Sequence, residues 1–417
     1  MDRFIIEGTR KLSGTIAVSG AKNVILPAMA ACLLAPGKSV LRNVPNLIDL
    51  KTMAHVLRVL GARVDYGAGA MAIDSRDLCF NEAPYELVSK MRASIYVLGP
   101  LLARLGEARV SFPGGCAIGT RPVDLHLKAM EALGATINIE HGYIHARADK
   151  LTGADIHFEK SSVGATINAL MAAVFARGTT RMFNAAMEPE VDSTIDLLNK
   201  MGANISGKGS TSLTIEGVEQ LFPVEMQMIP DRIEAGTFLI AGALSTEPVT
   251  VENCEPGHLA ILLDKLREAG CELEVGRSSI TVVPPLKIKP VDITTLPYPS
   301  FPTDLQAQFT VLMSLAEGTS RIEDTIFPDR FMHIAELNRL QAEIRMDLNV
   351  ATVTGVQALS GAEVMATDLR ASAALVLAGM VAQGTTVVSR IYHIDRGYDR
   401  IEEKLNGIGA RITRELA

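Results

Sequence analysis

Leu60-Gly61-Ala62 closes an amphipathic stretch of helical character in this 417-residue chain and precedes a short alternating segment typical of a strand. Similar triplets recur at intervals of about 70 residues, a period that is too long for a solenoid and suits a small α/β unit. Glycine is favourable between a helix and a strand because it adopts positive φ without strain. The chain is therefore predicted to contain six such units. The other five triplets are Leu133-Gly134-Ala135, Met201-Gly202-Ala203, Ala269-Gly270-Cys271, Leu340-Gln341-Ala342 and Ile408-Gly409-Ala410.

Each unit is predicted to place an apolar helix and an amphipathic helix over one sheet, with a hairpin after the triplet. The sixth unit ends at Ala417 without room for its last strand, but Phe4-Ile5-Ile6-Glu7-Gly8 matches the closing strand Leu213-Thr214-Ile215-Glu216-Gly217 of the third unit. We therefore expect the first strand of the chain to complete the sixth unit. Gln341 replaces glycine in the fifth triplet, so we expect an altered turn there.

This pattern predicts two domains of three units each. Residues 22–230 would form a domain inserted into a second one, which would consist of residues 1–21 and 231–417 and contain both termini. A cleft between two domains is the default place for a small ligand, so we expect the active site there.

The composition indicates an ordinary soluble enzyme. Hydrophobic residues make up 48% of the chain, and the net charge of −7 gives no reason to expect a nucleic-acid partner. Met1-Asp2-Arg3 leads directly into a strand-like segment, and the apolar stretches are short, so we expect a cytoplasmic protein without membrane contact. The five cysteines have neither CxxC spacing nor histidines at zinc-finger distances. This spacing favours a reducing cytoplasm and no metal site, and we also expect no cofactor.

Basic residues stand at the starts of several apolar helices, where the helix dipole disfavours them by up to about 1 kcal/mol each unless an anion lies opposite. Any one of them alone is more simply a solvated side chain, but their recurrence favours an anion-binding cleft. They are Lys22, Arg92, Arg232 and Arg370. Guanidinium groups bind carboxylate and phosphate with paired hydrogen bonds, so further arginines in loops favour a small, doubly anionic substrate. Those arginines are Arg121, Arg330 and Arg396.

The segment from Pro113 to His126 is the most specific in the chain. It reads Pro-Gly-Gly-Cys-Ala-Ile-Gly-Thr-Arg-Pro-Val-Asp-Leu-His. Its three glycines predict a mobile or tightly turned loop, in which Cys116 would be accessible and reactive beside Arg121. A buried loop cysteine is the alternative, which the glycines disfavour.

Several long, non-repetitive segments resemble those of the UDP-N-acetylglucosamine 1-carboxyvinyltransferases, a family of enolpyruvyl transferases, and the resemblance covers the whole chain. It implies an inside-out α/β barrel fold of two domains with six βαβαββ repeats, three per domain. The matching segments are Ser19-Gly20-Ala21-Lys22-Asn23, Met91-Arg92-Ala93-Ser94, the Pro113 to His126 loop, Phe301-Pro302-Thr303-Asp304-Leu305-Gln306-Ala307-Gln308, Met365-Ala366-Thr367-Asp368-Leu369-Arg370-Ala371-Ser372 and Tyr392-His393-Ile394-Asp395-Arg396-Gly397-Tyr398.

The resemblance implies transfer of the enolpyruvyl group from phosphoenolpyruvate to the 3′-hydroxyl of UDP-N-acetylglucosamine, with release of phosphate through a tetrahedral ketal. It identifies Cys116 as the proton donor and as the residue that fosfomycin would alkylate. It identifies Asp304 as the carboxylate at the sugar hydroxyl, although Asp304 is also a suitable helix cap. Lys22 and Arg396 complete the catalytic set that the resemblance implies.

The resemblance also implies two sets of binding residues. Phosphoenolpyruvate would contact Lys22, Asn23, Arg121, Arg330, Arg370 and Arg396. UDP-N-acetylglucosamine would contact Arg92, Arg121, Pro122, Val123, Asp124, Leu125, Lys160, Ser161, Ser162, Val163, Gly164, Asp304 and Ile326. Simple helix capping is an equal alternative for the segment that begins at Lys160.

Two other functions are compatible with parts of the pattern. A 3-phosphoshikimate 1-carboxyvinyltransferase would share the fold and the basic cleft, but it would need neither Cys116 nor the run that follows Arg121. A noncatalytic anion-binding or RNA-end-processing repeat protein would need nucleic-acid affinity, which the acidic charge balance disfavours.

Overall fold

The computed structural model describes residues 2–88, 91–112 and 123–416. Chain contacts divide these residues into two compact units. The terminal unit consists of residues 2–19 and 230–416, and the inserted unit consists of the described residues between 20 and 229. Each unit contains three repeats with a four-stranded sheet in each, so the described residues form six small sheets.

The inserted unit contains repeats 1 to 3, named here in chain order. The strands of repeat 1 are Glu225–Gln227, Lys38–Arg42, Arg63–Gly67 and Ala70–Asp74, and its helices are Lys22–Ala31, Cys32–Leu34 (3-10) and Ile48–Val59. The strands of repeat 2 are Glu82–Ala83, Glu107–Ser111, Thr136–Glu140 and Tyr143–Arg147, and its helices are Tyr85–Val88, Arg92–Val97 (3-10), Leu98–Leu105 and Asp124–Ala132. The strands of repeat 3 are Asp155–His157, Thr179–Phe183, Asn204–Ser206 and Ser212–Glu216, and its helices are Val163–Ala173 and Pro189–Lys200.

The terminal unit contains repeats 4 to 6. The strands of repeat 4 are Gly14–Ala17, Val249–Glu252, Glu272–Val275 and Ser279–Val283, and its helices are Arg232–Leu244, Pro256–Leu259 (3-10) and Ala260–Glu268. The strands of repeat 5 are Ile293–Thr295, Thr319–Asp324, Glu343–Asp347 and Val350–Thr354, and its helices are Thr303–Leu305 (3-10), Gln306–Met313 and His333–Arg339. The strands of repeat 6 are Glu363–Met365, Thr385–Ser389, Ile412–Glu415 and Arg3–Glu7, and its helices are Leu369–Val381, Ile391–Arg396 (3-10) and Ile401–Gly407.

All six sheets have one topology, which is the βαβαββ pattern. In each sheet one edge strand runs parallel to the strand after the buried helix, and two further strands complete the sheet in antiparallel pairs. In repeat 1 this edge strand, Glu225–Gln227, comes from the end of the inserted unit. The N-terminal strand Arg3–Glu7 takes the last position of repeat 6, between Thr385–Ser389 and Ile412–Glu415. This pairing confirms the prediction that the start of the chain completes the sixth repeat.

The apolar helix of each repeat is buried on nearly every face, whereas the second helix buries only one face. Arg232–Leu244, Gln306–Met313 and Leu369–Val381 pack against one another in the terminal unit. Helices that lie inside three small sheets bury apolar residues all round, which explains why their sequences lack an amphipathic pattern. No helix in the described part of the chain is long and apolar enough to cross a membrane.

The turn at Gln341 is not altered, contrary to the expectation from sequence. Gln341 has a φ of 67°, in the left-handed region that the glycines of the other triplets also occupy. Its amide donates to Asn338 O at 3.0 Å and the Ala342 amide to Leu337 O at 3.1 Å, as Gly409 and Ala410 do with Asn406 and Leu405. The backbone hydrogen bonds fix this turn, and the glutamine accepts the strain of positive φ.

Candidate active site

Asp304 in the terminal unit holds two arginines at once. One carboxylate oxygen lies 2.6 Å from Arg330 and the other 2.7 Å from Arg370. The side chains of Arg330 and Arg370 are 7% and 4% exposed, and that of Asp304 is 25% exposed, so Asp304 is the most accessible of the three side chains. The structure thus brings together three residues that the sequence predicted from separate motifs.

Asp304 and Arg370 lie at two helix starts, and Arg330 lies on a loop. Asp304 lies in the 3-10 turn Thr303–Leu305, and neither this turn nor the following helix Gln306–Met313 has a side-chain cap. Arg370 is the second residue of Leu369–Val381, whose cap is Asp368 through bonds to the amides of Arg370 and Ala371. The carboxylate of Asp304 therefore binds guanidinium groups and does not act as an ordinary helix cap.

Buried Asp324 organises the loop on which Arg330 lies. Its Oδ1 accepts from the amides of Ile326 and Phe327 at 3.0 and 2.8 Å, and its Oδ2 accepts from the Thr303 hydroxyl at 2.6 Å. Arg330 donates to the same hydroxyl at 3.2 Å. Asp324 thus fixes both the turn that precedes Asp304 and the loop that leads to Arg330.

The charge state of Asp304 follows from its neighbours. Burial alone would raise the pKa of this carboxyl group, but the positive charges of Arg370 and Arg330 outweigh burial and hold the pKa well below its usual range. Burial would lower the pKa of Arg370, and Asp304 more than compensates for it. The carboxylate is therefore an anion and a weak base in this arrangement.

A buried hydroxyl network lies behind Arg370. The Tyr398 hydroxyl accepts from Arg370 and from Gln308, each at 3.3 Å, and lies 2.8 Å from the Thr237 hydroxyl. Gln308 also donates to Thr237 at 3.1 Å. These bonds restrict the guanidinium group of Arg370 on the side away from Asp304.

Arg396 and Asp368, the cap of the helix that carries Arg370, both act on the charge of His393. Burial and then the charge of Arg396 lower the pKa of His393, while Asp368 opposes them. Burial likewise lowers the pKa of His333 to about 4, with Asp368 again opposing and Arg330 reinforcing the shift. Asp368 therefore interacts with two histidines, one beside Arg396 and the other beside Arg330.

Lys22 in the inserted unit forms a buried ion pair with Asp49. The ammonium nitrogen lies 3.0 Å from Asp49 Oδ2, and the side chains are 10% and 6% exposed. Lys22 is the first residue of Lys22–Ala31, so Asp49 supplies the negative charge that a cation at a helix start requires. Lys22 and Arg370 both lie at helix starts, where the helix dipole disfavours a positive charge. The carboxylates of Asp49 and Asp304 compensate for this by forming ion pairs with them. Asn23 follows Lys22 and is half-buried.

Buried His126 contacts Asn168 and lies close to Gly164, one of the residues predicted for the nucleotide sugar. The Nδ1 of His126 lies 3.1 Å from the side-chain nitrogen Nδ2 of Asn168. The same nitrogen donates to Ile95 O at 2.9 Å. A Cβ placed on Gly164 would lie 3.1 Å from the His126 ring, so ring and helix start are in close contact. Burial and then the charge of Arg92 lower the pKa of His126 to about 3. An uncharged imidazole therefore packs against the start of Val163–Ala173, within the electrostatic influence of Arg92.

The helix Val163–Ala173 begins with a capped first turn that is partly exposed to solvent. Ser162 is its cap, and its hydroxyl accepts from the Ala165 amide at 3.3 Å. Lys160 is exposed, and Ser161, Val163 and Gly164 are half-buried. On the neighbouring segment, Val123 is buried, Asp124 is the exposed first residue of Asp124–Ala132, and Leu125 is half-buried.

Three predicted residues, Cys116, Arg121 and Pro122, lie outside the described residues. Among the described cysteines, burial raises the pKa of Cys32 and Cys271 to about 12 and that of Cys254 to about 11, so these thiols are packing residues. Sequence patterns gave no role to Asp49, Asp324, Tyr398 or His126. Two of these residues had a local signal, because His126 ends the run that follows Arg121 and Tyr398 ends the matching segment that begins at Tyr392.

The chain is similar over nearly its whole length to known carboxyvinyltransferases. Residues 6–405 match the family model described as EPSP synthase (3-phosphoshikimate 1-carboxyvinyltransferase). A UDP-N-acetylglucosamine 1-carboxyvinyltransferase from Desulfosudis oleivorans is 55% identical over 414 residues, which is 99% of each chain. One from Chlorobaculum parvum is 56% identical over 418 residues and covers 100% of this chain and 99% of its own.

Solved structures agree with the fold. The enolpyruvyl transferase NikO from Streptomyces tendae superimposes with a TM-score of 0.90 at 29% identity, over 100% of this chain and 99% of that one. An EPSP synthase from Acinetobacter baumannii has a TM-score of 0.78 at 17% identity over both whole chains, a likeness of fold alone.

Proposed function

The chain belongs to the enolpyruvyl transferase family, and we propose that it transfers the enolpyruvyl group of phosphoenolpyruvate to the 3′-hydroxyl of UDP-N-acetylglucosamine with release of phosphate. The observation that supports this most directly is the high identity to full-length relatives named for that activity. The reaction is the first committed step of peptidoglycan synthesis. Both substrates are metabolites of the cytoplasm, where we expect the protein to act.

The chemistry requires an acid, a hydroxyl acceptor and fixed positive charge. A proton added to the methylene carbon leaves the neighbouring carbon electron-poor, and the sugar oxygen bonds to it to form a tetrahedral ketal. Return of a proton from the methyl group to the enzyme then accompanies loss of phosphate. Cys116, assigned from its motif alone, is the proposed donor for the first of these steps.

Asp304 is the proposed partner of the sugar hydroxyl. Because Arg330 and Arg370 keep it ionised, it accepts a hydrogen bond from the hydroxyl throughout the neutral pH range. A carboxylate of low pKa is a weak base, but the hydroxyl becomes strongly acidic as its oxygen bonds to carbon. Asp304 is thus suited to orient the oxygen first and to take its proton late.

Phosphoenolpyruvate would bind to Lys22, Asn23, Arg121, Arg330, Arg370 and Arg396, with Lys22 and Arg396 closest to the chemistry. Arg330 supports this assignment, because its buried Nε has no hydrogen-bond partner among the described residues. A buried N–H without an acceptor is unfavourable by about 1–3 kcal/mol, and an anionic substrate would satisfy it.

UDP-N-acetylglucosamine would bind to two groups of residues in the inserted unit and to Asp304 and Ile326. The start of Val163–Ala173 supports the assignment, since the positive end of a helix beside Lys160 suits a diphosphate. The first group is Arg92 with residues 121–125, and the second is Lys160, Ser161, Ser162, Val163 and Gly164.

The rival acceptor is shikimate 3-phosphate, whose enzymes share the fold at much lower identity. We test both acceptors by measuring phosphate release from phosphoenolpyruvate with each one separately, before and after treatment with fosfomycin. We expect release with the nucleotide sugar alone, its loss after treatment, and a mass increase on the peptide that contains Cys116. Release with shikimate 3-phosphate alone would refute the proposed function, and an unmodified Cys116 peptide would refute the fosfomycin site.

A further inference from the structure

Arg396 is the last residue of the 3-10 helix Ile391–Arg396, and the segment around it is fixed on both sides. This segment consists of Asp395, Arg396, Gly397 and Tyr398, and the Tyr398 hydroxyl is held by Thr237, Gln308 and Arg370 as described above. A Cβ on Gly397 would approach Leu369 Cδ2 to 2.6 Å, so this residue packs directly against the side chain before Arg370. The side after Arg396 is therefore anchored to the helix that carries Arg370.

Arg414, in the strand Ile412–Glu415, anchors the side before Arg396. Its guanidinium group donates to both oxygens of Asp395, at 2.6 and 3.0 Å, and its Nε donates to Glu402 at 2.6 Å. The guanidinium carbon also lies 5.0 Å from the centre of the Phe4 ring, which packs on the neighbouring strand. Arg414 is only 24% exposed, so one side chain with three hydrogen bonds connects the sheet to the residue before Arg396.

From this geometry we infer that Arg414 is a positioning residue of the reaction, which holds Asp395 in place and thereby directs Arg396 toward the phosphoenolpyruvate anion. The inference rests on the proposed function, because Arg396 is a substrate residue only there. A lysine at position 414 would keep the charge but lose the paired hydrogen bonds that fix the orientation of Asp395.

The test compares Arg414→Lys with Arg411→Lys, a matched control. Arg411 precedes the same strand, is 67% exposed and lies 3.8 Å from Glu7. We expect Arg414→Lys to raise the KM for phosphoenolpyruvate about tenfold, with changes of less than about threefold in kcat and in the KM for the nucleotide sugar. Arg411→Lys is expected to change none of these. A structural role would instead lower kcat and raise both KM values by similar factors, in parallel with a lower Tm. That result would overturn the inference.

A double-mutant cycle tests whether Arg414 acts through Arg396. Once Arg396→Lys has removed the guanidinium group, adding Arg414→Lys should raise the KM for phosphoenolpyruvate no further. A further tenfold rise in the double variant would show that Arg414 acts elsewhere.

One measurement is independent of activity and separates failure of this inference from failure of the proposed function. Amide hydrogen exchange over residues 391–398 should be faster in Arg414→Lys and in Asp395→Asn than in the wild type, and unchanged in Arg411→Lys. Unchanged exchange in the first two variants would overturn the inference even if the enzyme is active. A wild type that releases no phosphate with the nucleotide sugar would instead refute the proposed function.

Discussion

The Asp304 carboxylate lies 2.7 Å from the guanidinium group of Arg370. The negative charge of the group proposed to bind the sugar hydroxyl is therefore already compensated by a positive charge of the protein. Arg330 holds the second carboxylate oxygen. This relationship decides the chemistry that Asp304 can perform, because a carboxylate between two guanidinium groups stays ionised and attracts a proton only weakly. It also makes Asp304 important for stability.

Replacing Asp304 by asparagine keeps the shape of the side chain and removes its charge. Two buried guanidinium groups then lose their counter-charge, which should lower the free energy of unfolding by about 3 kcal/mol at pH 7. The rate of phosphate release should fall about 100-fold or more. Urea unfolding and the phosphate assay measure the two effects, with Asp329→Asn, on the exposed side of the same loop as Arg330, as the control. Wild-type activity in Asp304→Asn would contradict the assigned role.

The pH dependence of this stability difference follows from the direction of the pKa shift. A carboxyl group whose pKa is lower in the folded state stabilises the protein above the pKa of the unfolded chain, about 3.9 for aspartate. This stabilisation is lost as the pH falls from there toward the folded value. The gap between wild type and Asp304→Asn should therefore be constant from pH 7 to 5 and shrink below about pH 4. A gap that shrinks between pH 7 and 5 would show that the pKa is not lowered.

His126 should remain uncharged in the folded protein throughout the working pH range. Burial and Arg92 lower its pKa to about 3, whereas an unfolded histidine titrates near 6.5. The unfolded chain thus binds more protons between these values, and the contribution of His126 to stability is lost as the pH falls from about 6.5 toward 3. Histidine NMR titration tests this, with His126→Gln to assign the signal. A titration midpoint near 6 would show that the pKa of His126 is not lowered in the folded protein.

Cys116→Ser should reduce turnover about 100-fold or more, because a serine hydroxyl is a much weaker acid than a thiol. Cys116→Asp keeps an acidic group at the same place, so it should retain activity and resist fosfomycin. Steady-state phosphate release with and without the drug measures both. Turnover at the wild-type rate in Cys116→Ser would show that another group donates the proton.

Gln341→Gly should stabilise the protein, because it removes the strain of a side chain at a φ of 67° while the backbone hydrogen bonds of the turn remain. The expected gain in the free energy of unfolding is about 1 kcal/mol. Gln341→Ala is the matched control, since alanine retains a Cβ in the same strained conformation and should give no such gain. Equal stability of the glycine and alanine variants would show that the turn is not strained.

The repeats were predictable from sequence because their signal is local. A glycine that needs positive φ, an apolar helix and a hairpin all lie within one unit, and the match of Phe4-Ile5-Ile6 to the third closing strand revealed that the first strand completes repeat 6. The turn at Gln341 was predicted wrongly, because the hydrogen bonds around it maintain the conformation even without glycine.

The site was predictable only in part. Asp304, Arg330 and Arg370 could be named from their motifs, but not their mutual contacts. Asp49 and Arg414 had no motif at all, because each acts through a tertiary contact with a residue distant in sequence or in another element. Asp49 lies 27 residues from Lys22, and Arg414 lies 19 residues from Asp395 across a helix and a turn. Such pairs follow from packing and not from any local pattern.

A competition experiment distinguishes the two acceptors in a single reaction. Phosphoenolpyruvate is supplied in limiting amount with equal concentrations of UDP-N-acetylglucosamine and shikimate 3-phosphate, and the products are identified by mass spectrometry. We expect the enolpyruvyl group to appear only on the nucleotide sugar, together with one phosphate released per product. Enolpyruvyl shikimate 3-phosphate as the main product, or consumption of phosphoenolpyruvate without either product, would contradict the proposed function.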